Sequence, residues 1–163
     1  MASQNRLEDL EDIRQVRIDY TYFWDAGDAE GTASVFTDDA VIETHYQGKP
    51  FAAGGAEGKE AIRAYYARHM KSGQGDDRGK ALHIVSNPQI RLTGPDTATG
   101  TWILTDIAIG QASPEKPPQI LYGTYNDDYR KVDGIWKIQR MNLQVLYVTD
   151  QWFRDHNLVQ DSG

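Results

Sequence analysis

Four long stretches of alternating apolar and polar residues, 81–93, 97–110, 119–132 and 135–148, occupy most of the second half of this 163-residue chain. A period of two puts successive side chains on opposite faces of a strand, so each stretch predicts a β-strand. Asp133-Gly134 between two such runs is a strong signal for a tight hairpin. Gly94-Pro95-Asp96 predicts a second turn, and Gln111 to Pro118 a longer loop. Pro88 cannot donate to a ladder and is expected at a bulge or on an edge strand. Strands this long must curl strongly or close on a helix.

Helices are expected to supply that support, because the first half changes period. Leu10, Ile13, Val16, Tyr20 and Trp24 recur at spacings of three and four, giving one apolar stripe. Asn5 followed by Glu8 reads as a capping box at its start, and Gly27 as its stop. Asp28 is placed to cap a short second helix carrying Ala33, Val35 and Phe36. Val41 to Tyr46 reads as a strand, 47–58 as a glycine-rich loop, and Lys59 to Met70 as a third helix. Lys71 to Lys80 reads as a polar connection. No repeat or internal boundary interrupts the chain, so residues 1–163 are expected to form a single domain of α+β class. The tail from Thr149 carries Trp152, Phe153 and Leu158, and is expected to pack on the body and cover the pocket between helices and sheet.

Charge and composition narrow the functions. A formal net charge of -7 repels phosphate backbones and anionic lipid surfaces, which argues against nucleic acid or membrane as partner. The absence of cysteine removes disulfides, thiolate nucleophiles and cysteine metal sites. The first residues lack the basic start and apolar run of a signal peptide, so a cytoplasmic location is expected. The four histidines, His45, His69, His83 and His156, are not paired at metal-ligand spacing. No glycine-rich phosphate loop follows a strand. No metal and no cofactor is expected.

Asp25 at the end of the first helix, the segment 28–43 (DAEGTASVFTDDAVIE), the histidine of 81–90 (ALHIVSNPQI), 98–104 (ATGTWIL) and 129–138 (YRKVDGIWKI) together resemble the nuclear transport factor 2-like, or SnoaL-like, superfamily. Within it the likeness is to the lyase branch: scytalone dehydratase, bile-acid 7α-dehydratase and hexachlorocyclohexane dehydrochlorinase. The resemblance runs from about Leu7 to Val148 and implies a cone-shaped, curved antiparallel sheet wrapped on N-terminal helices, a cystatin-like α+β barrel. It also implies that a histidine acts as base and an aspartate orients it, at His83 and Asp25. The bile-acid enzyme's tyrosine, five residues before its aspartate, matches Tyr20. The dehydrochlorinase's basic residue after the hairpin tryptophan matches Arg140. Scytalone dehydratase has a second histidine where this chain reads Gly100-Thr101-Trp102, so its own substrate is not carried over.

The residues also have readings of their own. A carboxylate in a last helical turn opposes the dipole, at a cost of roughly 0.3–1 kcal/mol, so Asp25 calls for a partner. From pattern alone His83 reads as a core histidine satisfied by a backbone carbonyl. Paired with an aspartate, it becomes a competent base. Tyr20 and Asp25 point about 140° apart on a regular helix, unless the helix ends before Asp25. Tyr22, three before Asp25, lies nearer its side. Arg140 and Asn142 share a predicted strand face with Trp136 and Ile138, where an arginine needs an anion or a carboxylate. His45, Trp102, Tyr122 and Tyr125 are further candidates to line or back a pocket.

Three functions remain open at this level. The first is a cofactor-independent lyase that eliminates water from a small hydrophobic cyclic or aromatic hydroxylated substrate. The second is an isomerase or polyketide-cyclase-like enzyme using the same parts. The third is a ligand-binding or assembly domain without turnover. A homo-oligomer, trimer or dimer, is expected because Ile103, Ile107 and Ile109 make one strand face too apolar for a monomer.

Overall fold

The computed structural model describes residues 2–51, 54–74, 81–109, 113 and 117–149, with backbone alone for 2–4 and 71–74. Helix α1 spans Ala2–Asp25, α2 Ala29–Ser34 and α3 Lys59–Gln74. The strands are β1 Phe36–Tyr46, β2 Lys49–Pro50, β3 Ala56–Glu57, β4 Ala81–Leu92, β5 Thr97–Ala108, β6 Gln119–Val132 and β7 Ile135–Val148. The tail beyond Thr149 and most of the loop from Gln111 lie outside the described residues.

The four long strands form where alternation predicts them, within two residues at each end. Asp133 and Gly134 both have positive φ, 51° and 81°, the backbone of the tight turn that matches strand twist. Pro88 meets both of its expected conditions. Its strand β4 is an edge of the sheet, and the pairing register slips between Ser86 and Gln89, where Asn87 takes a φ of 50°.

Three local expectations are corrected. Helix α1 already runs from Ala2, so Asn5 and Glu8 lie inside it and do not start it. Helix α2 stops at Ser34, with Asp28 capping the Gly31 N–H at 2.8 Å, and Phe36 opens β1 five residues before Val41. The segment after β1 is not wholly loop, since β2 and β3 pair back onto β1.

The sheet order is β2-β1-β7-β6-β5-β4, with β3 also on β1. Strands β4 to β7 form an antiparallel meander, as expected, but β1 joins β7 in parallel, so the sheet is mixed rather than purely antiparallel. It is curved and does not close. Side-chain alternation is the same in either pairing sense, and for that reason the pattern could not distinguish them.

The concave face carries the core. Phe36, Ile42, Trp102, Leu104, Tyr125, Tyr129, Trp136, Ile138 and Met141 pack there with Ile13 and Tyr20 of α1 and Ile62 and Tyr66 of α3. Helix α1 lies against β4 and β7, and α3 against β1. The buried stripe of α1 runs Ile13, Arg17, Tyr20, with Thr21 also covered. Arg17 therefore occupies the centre of the stripe, while Val16 beside it is only half-buried.

Candidate active site

Helix α1 remains regular through Asp25, so Tyr20 and Asp25 do diverge. His83 spans the gap. Its backbone N–H donates to one Asp25 carboxylate oxygen at 3.0 Å, and its Nδ1 meets the other at 2.6 Å. An ionised carboxylate can only accept, so Nδ1 carries a proton in this pair, and in the neutral ring Nε2 keeps its lone pair. These two bonds compensate Asp25 for facing the negative end of its own helix. The His83 side chain is 6% exposed, and the Trp24 ring stands edge-on to it at 5.7 Å between centroids. The imidazole is thus gripped from α1 at two points, by the acid and by the indole.

Beside this pair lies a cavity of about 410 Å³. His83 lines it, along with Tyr20, Trp24, Tyr66, Tyr125 and Leu143. Phenol hydroxyls and apolar side chains dominate the wall. Tyr20 Oη lies 3.1 Å from Tyr66 Oη. Burial pushes the hydroxyls of Tyr20, Tyr66 and Tyr125 above the usual tyrosine range, and the Tyr65 hydroxyl to about 12. All four remain proton donors at neutral pH.

A second carboxylate, not singled out from the sequence, completes the site. Asp106 is the direct cross-strand partner of His83 in the β4–β5 ladder. Its Oδ2 lies 3.8 Å from His83 Nε2, and it lines the same cavity. Burial raises its pKa above the ordinary aspartate value, the His83 ring opposes this, and the Asp25 charge reinforces it. Its Oδ1 is buried with no hydrogen-bond partner among the described residues. A signal for it was present in the sequence. If Trp102 faces inward on β5, then Leu104 and Asp106 must as well.

The other candidates lie elsewhere. Tyr22 is 73% exposed, because two residues along a helix from Tyr20 is about 200° of turn. Trp102 is buried and backs the core, donating from Nε1 to Tyr129 Oη at 3.0 Å, rather than lining the cavity. Arg140 pairs with Glu43 at 2.7 Å on the opposite face of the sheet, beside a separate concavity with Asp39 and Asp128. Asn142 shares that outer face and accepts from the Gln144 side chain at 2.7 Å. His45 is also outward, since Ile42, Thr44 and Tyr46 are the cavity-lining residues of β1. Tyr122 is exposed on the convex face, whereas Tyr125 lines the cavity.

The displacement of Arg140 and Asn142 has one cause. The β6–β7 register slips between Asp128 and Tyr129, which pair with Arg140 and Ile138 and leave Gln139 unmatched. This bulge reverses the parity of β7. Trp136 and Ile138 face inward before it, and Met141, Leu143 and Val145 after it.

The SnoaL-like domain model matches residues 5–142. The chain belongs to the SnoaL-like domain family. Several solved structures share its architecture. A scytalone dehydratase-like protein of Novosphingobium aromaticivorans is 29% identical, covers 92% of this chain and 91% of its own, and superposes with a TM-score of 0.73. The hexachlorocyclohexane dehydrochlorinase LinA-type3 of Novosphingobium barchaimii is 19% identical over 90% of this chain and 92% of its own, with a TM-score of 0.71. A cystatin-like protein of unknown function from Nostoc punctiforme, 21% identical over 84% and 90%, has a TM-score of 0.65. The SnoaL-like fold and the nuclear transport factor 2-like resemblance therefore stand, with dehydratase-like and dehydrochlorinase neighbours. No described helix is long and apolar enough to cross a membrane.

Proposed function

We propose that this SnoaL-like chain is a cofactor-independent lyase that carries out dehydratase-like elimination on a small hydrophobic ring compound bearing a hydroxyl and a carbonyl or phenol. One observation carries the reading: an imidazole tied through Nδ1 to Asp25 presents Nε2 to an aromatic cavity. The likeness to a scytalone dehydratase-like protein supports the same class of chemistry.

The residues divide the work as follows. His83 Nε2 removes a proton from the carbon beside the carbonyl, and that C–H electron pair becomes the new double bond. The C–O bond on the next carbon breaks, and the leaving hydroxyl takes a proton from Asp106 to depart as water. The imidazolium then returns its proton to Asp106, 3.8 Å away, which restores both groups. Tyr20 donates to the substrate oxygen on which charge develops. General acid–base assistance of this kind contributes roughly 10²–10⁴ in rate.

The test is a screen of hydroxylated aromatic and steroid ketones against wild type and His83→Ala. The expected outcome is loss of water from at least one compound, reduced by roughly 10²–10⁴ in the variant with its fold intact. Full activity in His83→Ala would remove the assigned base. Deuterium uptake into a ketone without loss of any group would favour an isomerase using the same base.

The reading includes a homo-oligomer. Leu82 and Ile84 of β4, Ile103 of β5, Tyr122 of β6 and Tyr147 of β7 are exposed together on the convex face, where the registers align Ile84, Thr105, Tyr122 and Tyr147 across four strands. A second copy of the chain would cover this face.

A further inference from the structure

Behind two of the tyrosines that line the cavity lies a buried charge that the His83–Asp25 pair does not explain. Arg17 is 0% exposed. Its guanidinium pairs with the equally buried Asp127. Asp127 also accepts from Tyr129 Oη at 2.8 Å, and Tyr129 from Trp102 Nε1 at 3.0 Å. Nε of Arg17 and Oδ1 of Asp127 have no hydrogen-bond partner among the described residues. Removing two such charges from water is costly, and apolar replacements of a buried pair are often as stable or more so. The burial of this pair is therefore weak evidence of a stabilising role.

The guanidinium's remaining neighbours suggest a role. Its central carbon lies 4.1 Å from the centroid of the Tyr125 ring and 4.7 Å from that of Tyr20. Both rings line the cavity. The Tyr20 hydroxyl lies 3.1 Å from that of Tyr66, and either oxygen can donate to the other. The Tyr125 ring stands edge-on to Tyr20 at 6.0 Å between centroids. Two hydroxyls carry two protons, and the bond between Tyr20 and Tyr66 uses one. When Tyr66 donates, the proton of Tyr20 is left for a guest. Burial holds Tyr20 in its neutral form, and Arg17 is the strongest influence in the opposite direction. The other groups that bear on the cluster are Asp127 behind Arg17, Tyr65 on α3 and Asp106 on β5.

We propose that Arg17 is a positioning residue that makes the Tyr20 hydroxyl a subsite for a negatively charged ligand oxygen, the phenolate or enolate oxygen of a ring compound. This rests on the reading that the cavity is the ligand site, and goes beyond it by naming the feature of the ligand that is recognised. A cation beneath two phenol faces strengthens the O–H dipole aimed at the guest and offsets the charge that arrives on its oxygen.

The probe is 7-hydroxycoumarin, whose phenol and phenolate absorb differently. Its ionisation is titrated free, and bound to wild type, to Tyr20→Phe and to the double variant Arg17→Met/Asp127→Leu. The double variant removes both charges and leaves no orphan. In wild type the bound probe should ionise at a proton concentration at least tenfold higher than the free probe. That shift should fall several-fold in both variants, while in the double variant affinity for the neutral probe changes less than threefold and circular dichroism is unchanged. If the double variant does not fold, Arg17→Gln/Asp127→Asn serves instead, replacing both charges by a neutral hydrogen-bonding pair and losing most of the shift. A wild-type-sized shift in the folded Arg17 variant would overturn the role of Arg17 and leave the cavity reading intact. Failure of the probe to bind wild type would instead overturn the cavity reading, and this inference with it.

Discussion

A carboxylate at the end of a helix is unfavourable until something donates to it, and here one residue donates twice. His83 offers Asp25 both its backbone N–H and its ring N–H. The link between fold and the proposed chemistry is therefore short, because the bonds that hold β4 to the end of α1 also orient the proposed base. At this scale the sequence was informative about residue types with a strong prior use. Asp25, His83 and Tyr20 could be named through the resemblance to the lyase branch, since from pattern alone His83 reads as a core histidine and Tyr20 as part of the packed stripe. Asp106 and Arg17 were missed for opposite reasons. Asp106 sits in a run where an acid reads as an outward residue, although its parity with Trp102 and its pairing with His83 both place it inward. Arg17 lies at stripe spacing between Ile13 and Tyr20, yet arginine is so commonly a surface residue that Val16 was assigned its place.

At the scale of elements, bulges decide which residues can meet. The slip at Gln139 directs Arg140 and Asn142 away from the cavity and Met141 and Leu143 toward it. A single unpaired residue leaves almost no mark on alternation. The four strands were therefore legible, while the faces of β7 were legible only as far as Ile138. The same hairpin is tied to α1 by Asp9, which pairs with Lys131 and accepts from Trp136 Nε1 at 2.9 Å. The Lys131 bond, followed by that of Trp136, holds the Asp9 carboxyl below the ordinary aspartate value. A depressed folded-state pKa contributes stability that is present above the unfolded value, about 4, and is lost as pH falls through the folded one. Asp9→Asn should therefore lower unfolding free energy by about 1–3 kcal/mol at neutral pH. The gap from wild type should shrink as pH drops below about 4, when measured by urea unfolding across pH. A gap that is constant with pH would mean that the Asp9 charge does not act in this way.

For the whole molecule, the curved sheet has two faces with different tasks. The concave face holds the core and the cavity. The convex face exposes Leu82, Ile84, Ile103, Tyr122 and Tyr147. Its apolar character was readable from alternation, but the parallel seating of β1 on β7 was not, since strand sense leaves no trace in side-chain pattern. If a second copy covers the convex face, Ile84→Glu with Ile103→Lys should shift the protein to monomer in light scattering with its circular dichroism preserved. An assembly unchanged in mass would place the contact elsewhere.

The central claim is that Asp25 holds the proton of neutral His83 on Nδ1 and leaves Nε2 as the base. Long-range proton–nitrogen NMR of the histidine rings, in wild type and in Asp25→Asn, measures this directly and needs no substrate. The expected result is the Nδ1–H tautomer for His83 in wild type, with that preference lost in the variant. A wild-type His83 carrying its proton on Nε2 would contradict the account.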